Sequence, residues 1–275
     1  MEGQPKPRPS GSKLFYIPGS ESFTRIDPWW GLVVLVVGLA VTLVMVKADP
    51  FLRILLFVRD GVAVTAFITV AAFMFTLVLG MIGGLGRLSR NPVIHGVATL
   101  YVEIVRGIPL LVQLIWWYFA FPVVIQGIGR WLNFTAMANY QSNAIFTAVT
   151  GLTICYGAYM SEIYRAGIQS IPKGQGEAAR SLGMTHFQSM RHVVLPQAVR
   201  VVLPPVGNEF IALLKDSCLV SVVAVADLTR RGREFMAVHF NPIEVWSMVA
   251  LLYLVLTLFL TRGVAWIEKK SRFER

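Results

Sequence analysis

The sequence predicts an all-α integral membrane protein with about six membrane-spanning helices, and three observations carry that reading. Of 275 residues, 55% are hydrophobic and only 15% charged, where an average soluble domain is about a quarter charged. The mean hydropathy is +0.62, and the apolar residues come in long blocks instead of an amphipathic scatter. Blocks of about 18 or more such residues are long enough to cross the hydrocarbon core of a bilayer. The charges behind the formal net charge of +10 gather between and after the blocks, as cytoplasmic loops of membrane proteins require. They form no basic stripe with interleaved aromatics, so they do not point to nucleic acid. Cys155 and Cys218 stand alone in apolar surroundings. Neither a disulfide framework nor a zinc site follows from them, and they read as packing residues.

The segment Met1–Asp27 is polar and rich in Pro, Ser and Gly, which reads as a flexible tail. Trp29–Val46 is longer than a signal-peptide core and lacks a cleavage site, so it is expected to be a retained first span. A connecting segment reaches residue 59. The second span covers Asp60–Gly86, closed by the glycine-rich GMIGGLG and by Arg87 and Arg90. Gly80 and Gly84 either let another helix approach closely or simply loosen the helix end. A third segment runs from Pro92 to Pro122. Its first part, through Arg106, is mixed in polarity and belongs near the interface. IPLLVQLIWWYFAFP then enters lipid, with Trp116, Trp117 and Tyr118 suited to an aromatic belt. Gln126–Asn143 is polar and reads as an external loop. The fourth span is Ala144–Tyr164, followed by the basic residues Arg165, Lys173, Arg180, Arg191 and Arg200. The fifth covers Val201–Ala226 and the sixth Ile243–Thr261. A basic tail with Arg262, Lys269, Lys270, Arg272 and Arg275 closes the chain. The basic clusters place this tail and the segment before the fifth span in the cytoplasm. Lys47, Arg53, Arg59, Arg230, Arg231 and Arg233 then fall on the external side, against the charge rule.

The most informative stretch is EAARSLGMTHFQSMRHVVLP, Glu177–Pro196. It reads as a short helix, a turn and a second helix. Glu177 suits a helix N-terminus, and Gly183 the turn that ends the first helix. Thr185 and Gln188 have the spacing of a capping box, and Pro196 marks a break. So polar a hairpin between two spans must protrude from the membrane, where it can dock with a partner.

The stretch resembles the EAA loop of ATP-binding cassette importer permeases: EAA, three residues, Gly, nine residues, Ile, one residue, Leu-Pro. Glu177, Ala178, Ala179, Gly183, Leu195 and Pro196 match at the required spacing, and Val193 replaces the usual Ile. YVEIVRGIPLLVQL, GAYMSEIYRAGIQSIPKGQGEAARSLGM and LPPVGNEFIALLKDSCLVSV extend the likeness to the branch that serves polar amino acids (histidine, arginine, glutamine and glutamate systems). The resemblance covers residue 60 to the C-terminus. It implies a type I importer permease core of five helices at 60–275, a coupling loop at about 171–196, and an extra N-terminal helix within 28–59. It also implies a bacterial inner-membrane location and a set of partners: two ATPase subunits, a second permease subunit that is a copy or a homologue, a soluble or anchored binding protein, the amino-acid substrate, and membrane lipid. In that family the first helix of the loop sits in a groove on the ATPase, and Ala178 and Ala179 are small enough to let it seat closely.

Inside the fifth span, positions seven apart lie about 20° from each other on a helix. Asn208 therefore stands over Lys215 and Glu209 over Asp216, in two adjacent polar stripes. Ionisable groups in a span face a cavity or a partner, so these four either line a pathway for a zwitterion or pair with neighbouring helices. Glu103 with Arg106 and Glu162 with Arg165 are i,i+3 pairs suited to local ion pairing and to a structural or gating role. His95, His186, His192 and His239 form no HExxH spacing, and there is no serine-nucleophile elbow and no phosphate-binding GxxxxGK[ST]. The chain is therefore expected not to be an enzyme and to bind no cofactor or metal, with ATP and magnesium used by a separate ATPase. A permease for another small polar solute is an alternative. A self-sufficient secondary transporter is a weaker one, since it would need no docking hairpin and the chain has no inverted repeat.

Overall fold

The computed structural model describes residues 28–271, and all regular structure among them is helical. The expectation for Met1–Asp27 lies outside the described residues. The helices are α1 (Pro28–Val46), α2 (Ala48–Arg87), α3 (Pro92–Gly107), α4 (Leu110–Ile115), α5 (Phe121–Trp131), α6 (Thr135–Ala138), α7 (Ala144–Gln169), α8 (Lys173–Ser181), α9 (His186–Ser189), α10 (Leu195–Asp216), α11 (Leu228–His239) and α12 (Pro242–Ser271). Among the described residues, five helical stretches are long and apolar enough to cross a membrane: Trp29–Val46, Ala48–Arg87, Leu110–Trp131, Ala144–Gln169 and Pro242–Lys270. The one missing from the predicted six is the fifth. Its helix α10 has 22 residues but carries Arg200, Glu209, Lys215 and Asp216, and it stops at Asp216. A 3-10 segment, Ser217–Val223, then carries the chain to Ala224 at φ 62°.

α7 is the centre of the fold. Ala148, Leu152, Tyr156 and Met160 are buried, and they meet Ile68, Ala72 and Phe73 of α2 and Leu213 of α10 in one core. Phe73 and Phe210 stack across α2 and α10 with centroids 4.1 Å apart. Close approach of α2 to α7 depends on glycine. A Cβ at Gly80 would lie 2.5 Å from the Met160 Cβ, and one at Gly84 would lie 2.9 Å from the Ser161 carbonyl oxygen. The Gly80/Gly84 pair is therefore a helix-packing contact and not a loosened end.

α2 is about 60 Å long at 1.5 Å per residue, twice what a bilayer core demands. Residues 48–59, expected to connect two spans, are helical apart from a kink at Asp49 (φ −98°, ψ 115°). Phe51, Ile54 and Val58 form a second apolar cluster with Leu228 and Phe235 of α11 and with Val245 and Met248 of α12. That burial makes the extension worthwhile.

The third predicted span divides at Ile108, whose extended backbone (ψ 131°) is what a residue before proline prefers. The buried Gln113 side chain donates to the Val105 and Ile108 carbonyls, each at 2.8 Å, so the broken helix end keeps its hydrogen bonds. The expected external loop Gln126–Asn143 is partly helical instead. α5 runs on to Trp131, and Gln126 Nε2 donates to the Tyr140 carbonyl at 2.8 Å. Gly129 lies against Met137 and Ala138 of α6 so closely that a Cβ would come 2.3 Å from the Ala138 nitrogen. This tertiary contact folds the segment back.

The loop expected around Arg230–Arg233 is helix α11, started by Asp227, whose carboxylate accepts from the Thr229 and Arg230 amides at 3.0 Å each. Basic residues that contradict the charge rule are largely paired. Lys47 reaches Glu244 at 3.4 Å, Arg53 reaches Asp49 at 3.6 Å, and Arg231 contacts Asp60 at 3.0 Å and Glu234 at 2.9 Å. The hydrogen bonds from Arg230 and Arg231 hold the Glu234 carboxyl below its ordinary range.

Candidate functional site

The hairpin forms as its sequence directs, with two corrections. α8 begins at Lys173 after Pro172, so Glu177 sits in mid-helix and not at the N-terminus. The helix ends where Gly183 adopts φ +86°, a value only glycine takes freely. The Gly183 amide donates to the Arg180 carbonyl at 2.9 Å, and the Met184 amide to the Ala179 carbonyl at 3.2 Å. The second helix opens on the capping box. Gln188 N–H donates to Thr185 Oγ1 at 3.2 Å, and Thr185 N–H donates to Gln188 Oε1 at 2.8 Å.

Pro196 does not break the chain, which is the second correction. A π-helical turn, Met190–Val194, lies just before α10, and the Leu195 amide donates to the Met190 carbonyl. Wider i→i+5 bonding accommodates a ring that an α-turn would reject. The helical run is thus continuous from α9 into α10, although Pro204 and Pro205 lie inside α10.

The two small residues of the hairpin face opposite ways. Ala179 is 4% exposed and buried inside the hairpin. Beside it the Ser189 hydroxyl donates to the Gly176 carbonyl at 3.3 Å. Glu177 and Ala178 face outward. Small size at 179 therefore lets the hairpin close on itself, and Ala178 is the small residue left for an external surface.

The polar stripes of α10 separate. Glu209 and Asp216 line a cavity of about 250 Å³ together with Leu110, Cys155, Tyr156 and Tyr159. Tyr156 donates its hydroxyl to Asp216 Oδ2 at 2.7 Å. Asn208 and Lys215 are exposed and do not line it. Beside the cavity, though not lining it, Arg106 sets its guanidinium over the Tyr159 ring at 5.1 Å. Arg106 makes no ion pair with Glu103, because its side chain turns to the aromatic face of α7 and Glu103 stays exposed. Sequence reading missed Tyr156 and Tyr159. Their i,i+3 spacing with each other, one turn before Glu162, is the signal that would have found them.

Glu162 and Arg165 do pair, with Arg165 Nε donating to the carboxylate at 3.0 Å. Arg87 at the end of α2 joins the same carboxylate, so this pair ties α2 to α7 as well as staying within its own helix. Among the described residues no three His, Cys, Asp or Glu side chains gather as a metal-binding group.

The chain matches the family described as binding-protein-dependent transport system inner membrane component over residues 76–273. It is 37% identical over 213 residues to the glutamine transport system permease protein GlnP of Escherichia coli strain K12, covering 78% of this chain and 92% of that protein. To the arginine transport system permease protein ArgU of Corynebacterium glutamicum it is 38% identical over 213 residues, 76% of this chain and 67% of that one. Among solved structures it is similar to one described as an amino acid ABC transporter with histidines, with TM-score 0.70 and 37% identity over 82% of this chain and 96% of that one. The methionine ABC transporter MetNI in inward-facing conformations shares the fold, with TM-score 0.65 and 22% identity over 80% and 99%.

Proposed function

This chain belongs to the family of binding-protein-dependent transport system inner membrane components, and from that premise we propose that it is the membrane subunit of an ATP-driven importer for polar amino acids. The observation that carries the reading is the Glu177–Pro196 hairpin, whose Gly183 turn and Thr185–Gln188 capping box hold a short helix out from the spans. In this reading the exposed Glu177–Ala178 face of α8 docks in a groove on an ATPase subunit. The hairpin and the C-terminus lie in the cytoplasm. Two ATPase subunits, a second permease subunit and a substrate-binding protein complete the machine, and the ATPase alone uses ATP and magnesium.

The amino acid passes the cavity under α10. A zwitterion needs both signs of charge, and this one sets Glu209 and Asp216 against an arginine over Tyr159. Arg106 suits the carboxylate, and the two acids suit the ammonium. ATP-driven closure of the ATPase pair moves the hairpins and so alternates access to the cavity. Polar amino acids are favoured by relatives named for glutamine and arginine.

The test is uptake of radiolabelled glutamine, arginine and histidine by purified complex in liposomes. Uptake of at least one is expected to require ATP, the ATPase chain and a loaded binding protein. Uptake by this chain alone, driven by an ion gradient, would overturn the reading.

A further inference from the structure

Two helix faces are left bare by the packing of this chain, and they carry opposite charges. On α3, Gly96, Leu100, Glu103 and Gly107 follow one another at helical spacing, and all are exposed. A Cβ at Gly96 or Gly107 would meet no atom within 4 Å, whereas one at Gly83, Gly84 or Gly86 would come within 3 Å of a neighbour. On α10, Val201, Asn208 and Lys215 are exposed at seven-residue intervals. The Glu103 carboxylate and the Lys215 ammonium have no hydrogen-bond or ion-pair partner among the described residues. We propose that these two faces dock on a second copy of this chain, with Glu103 of each copy paired to Lys215 of the other.

Depth, charge and symmetry argue for that occupant. Tyr101 donates its hydroxyl to the Ile154 carbonyl of α7 at 2.7 Å, and Arg106 rests on Tyr159. Glu103 lies between them on α3, so it stands level with residues 154–159 of α7. Tyr156 donates to Asp216, which brings the adjacent Lys215 to the same level. This is the middle of the Ala144–Gln169 helix, where an ionisable group faces a cavity or a partner. Neither Glu103 nor Lys215 lines the acidic cavity. Both border it, Lys215 next to Asp216 and Glu103 one turn from Arg106, so a single partner surface can cover the two. Across a two-fold axis along the bilayer normal each contact is made twice. An acid and a base at one depth then satisfy each other in both copies. A homologue lacking that pair of charges would leave them covered and unmatched, which is costly. Gly96 and Gly107 let the partner backbone come close. This pairing rests on the two-permease reading above, and it makes the two permeases identical.

The experiment uses the whole complex in membrane vesicles, expressed with two permease copies that carry different affinity tags. In a Cys155→Ser/Cys218→Ser background, one copy carries Glu103→Cys and the other Lys215→Cys, and a short thiol-to-thiol cross-linker is added. A cross-linked dimer bearing both tags is expected. None is expected when Val34→Cys, at a site 70% exposed on α1, replaces Lys215→Cys. In a second arm with the native cysteines, the complex is extracted, one tag is captured and the other is scored. Glu103→Lys or Lys215→Glu in both copies sets like charges together and is expected to lower capture by about tenfold or more. Glu103→Lys/Lys215→Glu in both copies is expected to restore it. Lys215→Ala adds no repulsion and leaves the ATPase pair to hold the copies together, so it keeps capture and uptake.

No cross-link between Glu103→Cys and Lys215→Cys would overturn the proposal, as would an equal yield with Val34→Cys. Unchanged capture in both single reversals would also overturn it, by showing the two charges solvated in an aqueous pathway. Single reversals that lose capture without recovery in the exchanged variant would do the same. So would a complex that never holds both tags, whose second permease is then a homologue; ATP-dependent uptake by that complex would leave the transport reading intact. Cross-linked copies in a complex without ATP-dependent uptake would fail the transport reading and leave this one standing.

Discussion

Replacing Gly183 with valine tests the hairpin at its most exacting point. The residue sits at φ +86°, and a Cβ built on it meets no heavy atom within 4 Å. Steric collision with neighbours is therefore absent, and the whole cost is conformational. A β-branched residue held in the left-handed region costs about 1–3 kcal/mol. At 1.36 kcal/mol per tenfold, a central cost of about 2 kcal/mol lowers the population of the native turn by about 30-fold relative to its alternatives. If docking selects that turn, apparent affinity for the ATPase falls by up to the same factor. Asparagine enters the left-handed region more readily than valine, so Gly183→Asn is expected to fall between the two. The assay is titration of the labelled ATPase chain against each variant in nanodiscs, with tryptic digestion to show that the spans remain inserted. Equal affinity for wild type and Gly183→Val would refute the argument. So would a loss in Gly183→Asn as large as in Gly183→Val, which would show that the space and not the backbone matters.

Ala178→Asp is expected to weaken ATPase binding while leaving the hairpin folded. Ala179→Asp, which buries a charge inside the hairpin, should raise protease sensitivity at 173–194, and the reverse pattern would reassign the docking face. At the cavity, Asp216→Ala should cut uptake tenfold or more while the complex still assembles. Tyr156→Phe should cut it less, since it removes one hydrogen bond to Asp216 and leaves the carboxyl group in the cavity. Lys215→Ala should transport like wild type, and a loss there equal to that of Asp216→Ala would restore Lys215 to the pathway. Gly84→Ala should lower the melting temperature through about 1–3 kcal/mol of overpacking against α7, whereas Gly38→Ala, with open space around its Cβ, should not. Equal melting temperatures would remove glycine from the account of helix packing.

What the sequence made legible was local chemistry. The positive φ at Gly183 and the capping box at Thr185 depend on a few adjacent residues, and both appear as read. The seven-residue stripes were also real, since helical geometry alone places Glu209 over Asp216 on one face. Which stripe meets the cavity was not legible, because that depends on the rotation of α10 against Tyr156 and Tyr159. The same holds for Arg106. Its spacing permits a pair with Glu103, but an aromatic ring on another helix draws it away. Segments shaped by distant contacts were misread for this reason: the extension of α2 under α11 and α12, the fold-back at Gly129, and the passage of the chain through Pro196.

The π-turn before Pro196 has a mechanical consequence. Because the helical run continues from His186 to Asp216, the Thr185–Pro196 half of the hairpin and the acidic cavity share one lever. From Thr185 to Glu209 it spans about 36 Å at helical rise, so a tilt of one degree at one end displaces the other by about 0.6 Å. Pro204 and Pro205 remove two amide donors from the shaft close to the cavity. The shaft is thus weakened next to its load.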